Sequence, residues 1–203
     1  MRRIRCVISD LGKVIIFFDN NIFFTKMADY CPFSKEEIRE LTFTHMNLIE
    51  TFDCGRITPV EFYNRVVRNL KARIDHDTFY SIYNDVFSPN PPVLKIMEKL
   101  KRNYRLVLFS NTDIMRYSFI KEKFPGIQIF DEYVLSYEVG FMKPHPQIYL
   151  EALKKARAKA EDCVFIDDRE ENIEVAVRLG INVIHFMPQT DLESDLREMG
   201  LSF

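Results

Sequence analysis

No uninterrupted apolar segment approaches the ~18 residues of a membrane-spanning helix, so a membrane-embedded chain is not expected. Cys6, Cys31, Cys54 and Cys163 are widely spaced and include no C-x-x-C pair, which argues against both a zinc site and a disulfide framework. Cys6 and Cys163 fall inside apolar runs and read as small core residues. An excess of one charge is also lacking. The 28 basic and 30 acidic residues leave a net charge of −2, which gives no field that would gather nucleic acid or anionic lipid. Arg2, Arg3 and Arg5 form the only basic cluster near a terminus, and neither a long apolar region nor a small-residue cleavage site follows them. A soluble, reduced, cytoplasmic protein is the expectation. No internal repeat or low-complexity tract occurs, and nothing in the pattern specifies an oligomeric state.

What is present is an ordinary globular composition. The 203 residues are 47% hydrophobic and 29% charged, enough for one large α/β domain carrying a modest insertion. Five short apolar runs, 4–9, 106–109, 133–135, 163–166 and 183–186, suit strands buried on both faces of a parallel sheet. Helical apolar spacing lies between them at 92–102, 148–158 and 171–179, the last followed by Gly180 as a C-terminal cap. Alternation of strand and helix implies right-handed crossovers and a doubly wound, Rossmann-like α/β fold.

Residues 20–88 break this rhythm. They show no buried strand but four amphipathic patterns, at 22–28, 35–41, 60–70 and 78–86. Ser34 with Glu36 and Glu37, and Thr58-Pro59 with Glu61, are helix starts. Phe23, Phe24, Phe33, Phe43, Phe52, Phe62 and Phe79 supply a core for such a bundle. The expected organisation is a core of residues 1–19 and 89–203 with a helical insertion at 20–88, the segment 88–92 (Ser-Pro-Asn-Pro-Pro) acting as a rigid return linker.

In an open α/β sheet, ligands bind beyond the carboxyl ends of the strands. Here those ends carry Asp10-Leu11-Gly12, Ser110-Asn111-Thr112, Lys143-Pro144 and Asp167-Asp168. Each alone is an ordinary cap, turn or surface residue. Together they place carboxylates, a hydroxyl, an amide and an ammonium along one edge, which is the set that phosphoryl transfer requires. A carboxylate such as Asp10 can attack phosphorus and split one hard displacement into two. Because the substrate is itself an anion, Mg²⁺ bridging Asp10 and Asp168 would cancel the repulsion, while Lys143 and Ser110 orient the remaining oxygens. Gly12 lets the backbone approach closely.

These segments resemble the motifs of the haloacid dehalogenase superfamily, whose members are mostly Mg²⁺-dependent phosphatases. Ile8-Ser9-Asp10-Leu11-Gly12, Phe109-Ser110-Asn111-Thr112, Lys143-Pro144, and Phe165-Ile166-Asp167-Asp168 with Asn172 are similar to its four motifs. Gly55-Arg56-Ile57-Thr58 with Glu61-Phe62 resembles part of the small helical cap inserted in subfamily I. The combination looks most like the bacterial branch that contains α-glucose-1-phosphatase. The resemblance implies Asp10 as nucleophile and metal ligand, with the Gly12 carbonyl and Asp168 as further ligands. Ser110, Asn111 and Lys143 would bind substrate, with Asp167 and Asn172 supporting the site. The implied function is Mg²⁺-dependent hydrolysis of a small phosphorylated metabolite.

Two departures stand out. Most phosphatases of the superfamily carry an acid–base Asp two residues after the nucleophile, where this chain has Gly12. General acid–base help is typically worth 10²–10⁴-fold, so the change narrows the expected substrates to those with an already acidic leaving alcohol, such as sugar 1-phosphates. His45, Glu50 or Asp53 of the insertion would be the alternative source of a proton. Lys13, the second departure, could add to phosphate binding or face solvent. A 2-haloacid dehalogenase, which needs no metal, and a catalytically weak phosphosugar-binding or regulatory protein are the competing readings.

Overall fold

The computed structural model describes residues 4–44 and 46–203, with no account of the side chains at 43, 44 and 46. The strands are β1 (Cys6–Ser9), β2 (Ile16–Phe18), β3 (Phe87–Pro89), β4 (Arg105–Ser110), β5 (Glu132–Leu135), β6 (Cys163–Asp167) and β7 (Asn182–His185). The five apolar runs thus become β1, β4, β5, β6 and β7, a parallel sheet in the order β5-β4-β1-β6-β7. Successive side chains alternate between its faces. Val7, Leu108 and Ile166 pack in one apolar cluster, while Cys6, Ile8, Phe109 and Phe165 pack in the other, so both faces are covered.

The helices are α1 (Asn20–Met27), α2 (Lys35–Thr44), α3 (Met46–Asp53), α4 (Pro59–Asn69), α5 (His76–Asn84), α6 (Pro91–Leu100), α7 (Ile114–Lys123), α8 (Ser136–Val139), α9 (Pro146–Ala156), α10 (Glu170–Arg178) and α11 (Leu192–Glu198). Val93, Met97 and Leu100 of α6, with Tyr117 and Ile120 of α7 and Leu192 and Leu196 of α11, cover the first sheet face. Ile148, Tyr149 and Ala152 of α9 and Ile173 and Ala176 of α10 cover the second. Gly180 ends α10 with φ of 79°, as its position after the last apolar residue predicts. No helix among the described residues is long and apolar enough to cross a membrane.

Helices α1 to α5 build a separate core around Phe23, Phe24, Phe52, Phe62, Phe79 and Tyr83. Phe52 and Phe62 stack with ring centres 4.2 Å apart, and Phe79 and Tyr83 stack at 5.7 Å. Thr58 and Glu61 form a reciprocal capping box at the start of α4, and Ser34 and Glu37 exchange the same pair of bonds at α2.

The linker expectation is corrected. Residues 87–89 form a strand, β3, which pairs antiparallel with β2, placing Phe18 opposite Phe87 and Ile16 opposite Pro89. Only Pro91 and Pro92 remain as punctuation, in the first turn of α6, where a missing N–H costs nothing. Three-residue strands are too short to show a period, so neither partner is visible in the sequence. Helices α3, α7, α8 and α11 likewise lie outside the predicted helical patterns.

Candidate active site

The chain runs from β1 to β4 and β5 on one side, then returns to β6 and β7 on the other, so connections diverge on either side of β1 and β6. A crevice opens at such a switch point beyond the strand ends. The register sets Ser9 level with Leu108 and Ile166, and the next residues of the three strands emerge together. Asp10, Phe109 and Asp167 therefore reach one edge through the backbone alone, with Ser110 one residue further along β4.

Lys143 joins them from the loop after α8. Its ammonium donates to Asp10 Oδ1 at 2.7 Å, to Asp167 Oδ2 at 2.7 Å and to the Phe109 carbonyl at 2.9 Å, which uses all three of its protons. The lysine side chain is 2% exposed, so these are charge-assisted bonds in a largely water-free setting. Asn111 holds the lysine backbone from the other side, its amide donating to the Lys143 carbonyl at 2.8 Å and its carbonyl accepting from the Lys143 N–H at 2.7 Å. Ser110 is buried, and its hydroxyl donates to the Asn111 carbonyl at 3.4 Å.

Burial pushes the Asp10 carboxyl up to about 7; the Lys143 ammonium pulls it back, and Asp167 adds a further push. Burial alone would lower Lys143, but Asp10 and Asp167 more than reverse this and hold it above the ordinary lysine range.

Asp167 is saturated. Oδ1 accepts from the Arg169 N–H and from the Asn172 amide at 2.9 Å each, and Oδ2 accepts from Lys143 and, at 3.1 Å, from Asn172. Tyr149 in turn donates to the Asn172 carbonyl at 2.9 Å. Asp168 is paired instead with Lys13, Nζ to Oδ2 at 3.3 Å. Asp10, Asp167 and Asp168 each offer a carboxylate oxygen within 4.8 Å of the others. Hard oxygen donors at that spacing fit a small divalent cation such as Mg²⁺.

A cavity of ≈ 210 Å³ is lined by Asp10, Gly12, Lys13, Phe18, Asn111, Lys143, Asp168, Arg169 and Asn172. Phe18 occupies a telling place. A Cβ built on Gly12 would meet its ring at 3.2 Å, so a side chain at position 12 would need the ring to give way slightly. Of the three alternative proton sources, Glu50 is exposed, Asp53 is half-buried and His45 lies outside the described residues. Burial first, then the Asp113 carboxylate, pushes Asp53 up to about 7, while Arg116 opposes them.

Residues 25–180 match the description haloacid dehalogenase-like hydrolase. The chain belongs to this family. It is 23% identical over 199 residues to D-ribitol-5-phosphate phosphatase of Bacteroides thetaiotaomicron, covering 92% of each protein. It is 29% identical over 100 residues to flavin mononucleotide hydrolase 1 of Arabidopsis thaliana, spanning only 40% of that protein's length. Among solved structures, a haloacid dehalogenase family enzyme of Bacteroides thetaiotaomicron superposes with a TM-score of 0.85 at 26% identity, covering 96% of this chain and 99% of the other. A further structure of that enzyme, in complex with magnesium and inorganic phosphate, gives a TM-score of 0.80 at 24% identity and covers 96% and 100%.

Sequence reasoning missed several supports of this haloacid dehalogenase-like site. The Phe109 carbonyl, the Tyr149 hydroxyl and the Phe18 ring leave no signature, because a strand carbonyl and two aromatic side chains look the same wherever they fall. Ser136, whose hydroxyl accepts from the Thr112 N–H at 2.9 Å and donates to the Thr112 carbonyl at 3.0 Å, is equally silent in the sequence.

Proposed function

We propose that the protein is a Mg²⁺-dependent phosphatase of the cytoplasm that hydrolyses a small phosphorylated metabolite through an aspartyl-phosphate on Asp10. The observation that carries this reading is the convergence of Asp10, Lys143, Asp167 and Asp168 at one sheet edge, with Lys143 2.7 Å from Asp10 and from Asp167. Asp10, Asp168 and the Gly12 carbonyl would hold the ion, which supplies positive charge to offset the repulsion between carboxylate and phosphate.

The chain's own residues then divide the work. A carboxylate oxygen of Asp10 attacks phosphorus and the bond to the leaving oxygen breaks. Lys143 neutralises charge on the transferring group, and the Ser110 hydroxyl and the Asn111 segment orient its oxygens. Water then attacks the phosphorus of the aspartyl-phosphate, releasing inorganic phosphate and restoring Asp10. Asp167, itself held by the Asn172 amide, keeps Lys143 in place. Residues 20–88 act as a cap that closes over the sheet edge and limits substrate size.

Gly12 and the Phe18 ring beside it favour substrates whose leaving alcohol is already acidic, such as the anomeric hydroxyl of a sugar 1-phosphate, which departs as the alkoxide and takes its proton from water. The ribitol phosphatase among the relatives supports phosphorylated sugars and polyols as the general class. A phosphate-release screen over phosphorylated metabolites, run with Mg²⁺ and with chelator and controlled by Asp10→Asn, tests the reading. Turnover unaffected by chelator would point to dehalogenase-like chemistry, and equal turnover of sugar 6-phosphates would sink the 1-phosphate preference. Tight phosphosugar binding without turnover would favour a binding or regulatory role.

A further inference from the structure

The turn after Asp10 holds a lysine in a backbone conformation that lysine seldom adopts. Lys13 has φ of 58°, in the left-handed region, where a Cβ crowds the carbonyl. The turn allows little choice. The Lys13 N–H donates to the Ile16 carbonyl at 2.7 Å, the N–H groups of Ile15 and Ile16 both donate to the Leu11 carbonyl at 2.9 Å, and Val14 and Ile15 are fully buried. Glycine or asparagine would occupy this position with less strain. An observed outlier of this kind beside a reactive group motivates a functional explanation.

The lysine side chain supplies one. Its ammonium lies 3.3 Å from Asp168 Oδ2 and 5.9 Å from the centre of the Phe18 ring. The Lys13 side chain is 57% exposed, so the pair contributes little to holding the fold. Its effect falls instead on the charge of the cavity that Lys13 helps to line. When ionised, Asp10, Asp167 and Asp168 bring three negative charges, and Lys143 is committed to the first two carboxylates. Lys13 reduces the remaining excess from two negative charges to one. A divalent cation and a phosphate dianion must respond to that change in opposite directions.

Building on the phosphatase reading, we infer that Lys13 is a resident counter-cation of Asp168 and a specificity-determining residue for anions. In the ligand-free protein it competes with a divalent ion for the Asp168 carboxylate. Once the ion is bound, the ammonium is released beside the phosphate pocket and strengthens retention of the anion. The residue thereby trades metal affinity for phosphate affinity, and it couples the two ligands so that each is bound more firmly in the presence of the other.

Calorimetric titration of the whole chain separates the two effects. In Lys13→Asn, which removes the charge and relieves the backbone, Mg²⁺ should bind the phosphate-free protein roughly 3- to 10-fold more tightly than in the wild type. Inorganic phosphate at saturating Mg²⁺ should bind more weakly by a similar factor, on the order of 3- to 10-fold. Lys13→Arg should restore both values toward the wild type, which a merely structural role would not do. Unchanged Mg²⁺ affinity, a loss of both affinities together, or a wild-type protein that binds no Mg²⁺ would each overturn the inference. Both readouts are equilibrium affinities. A wild-type protein that releases no phosphate from any substrate yet shows the opposed shifts would therefore remove the phosphatase reading and leave this one standing.

Discussion

Lys143 places its ammonium 2.7 Å from Asp10, and the same nitrogen ties the proposed nucleophile to Asp167 on the neighbouring strand. Removing the charge leaves two buried carboxylates facing each other. Lys143→Met should abolish turnover by at least ~10³-fold, because charge on the transferring phosphate loses its partner. It should also lower stability by about 3–5 kcal/mol at pH 8, the usual cost of breaking a buried pair from one side. Denaturant titration of the variant with and without Mg²⁺ should show partial rescue by the ion; no loss of stability would mean that Lys143 does not neutralise the cluster.

The Phe18 ring lies 3.2 Å from where a Cβ at position 12 would sit. Gly12→Asp alone should therefore gain little, since the new carboxyl is crowded. Gly12→Asp with Phe18→Leu should raise kcat for an alkyl phosphate by about 10-fold or more, part of the 10²–10⁴-fold that general acid–base help typically supplies, and leave p-nitrophenyl phosphate nearly unchanged. Equal gains on both substrates would show that leaving-group protonation is not what Gly12 forgoes.

Asp53, near Asp113, Arg116 and Glu50, is raised by burial to about 7. The folded chain holds this proton more tightly than the unfolded chain. The contribution thus favours folding at low pH and is lost as pH rises from the ordinary carboxyl value near 4 through about 7. Asp53→Asn should stabilise the protein at pH 8 by about 1–2 kcal/mol, a reduced value because the side chain is partly exposed, and should have little effect at pH 4. Urea melts at the two pH values check the sign, and a larger gain at pH 4 would contradict it.

Gly55 joins α3 to α4 with φ of 66°, and a Cβ there would stand 2.1 Å from the Tyr137 carbonyl of α8. The helical segment is thus seated on the sheet-bearing part through a position that admits no side chain. Gly55→Ala should cost at least about 1 kcal/mol and should speed limited proteolysis within residues 20–88 more than elsewhere. Uniform cleavage across the chain would indicate global destabilisation in place of local unseating.

The sequence by itself determined the sheet and which polar residues stand at its edge. Runs such as 106–109 and 163–166 are apolar without alternation, which only a strand covered on both faces tolerates, and the polar residues that follow them are placed by strand direction alone. The short ribbon of β2 and β3 escaped because pairing across some 70 residues has no local period. Tertiary structure alone decided how the edge residues share charge. Asp167 and Asp168 are adjacent in sequence, yet one is saturated by Lys143, Asn172 and the Arg169 N–H while the other faces Lys13. Likewise the Asn111 amide is spent on the backbone of Lys143, and the Phe18 ring covers Gly12. Residue type and spacing determine which groups arrive at a sheet edge; hydrogen-bond partners depend on side-chain directions and on packing between distant segments, and these exist only once the chain is folded.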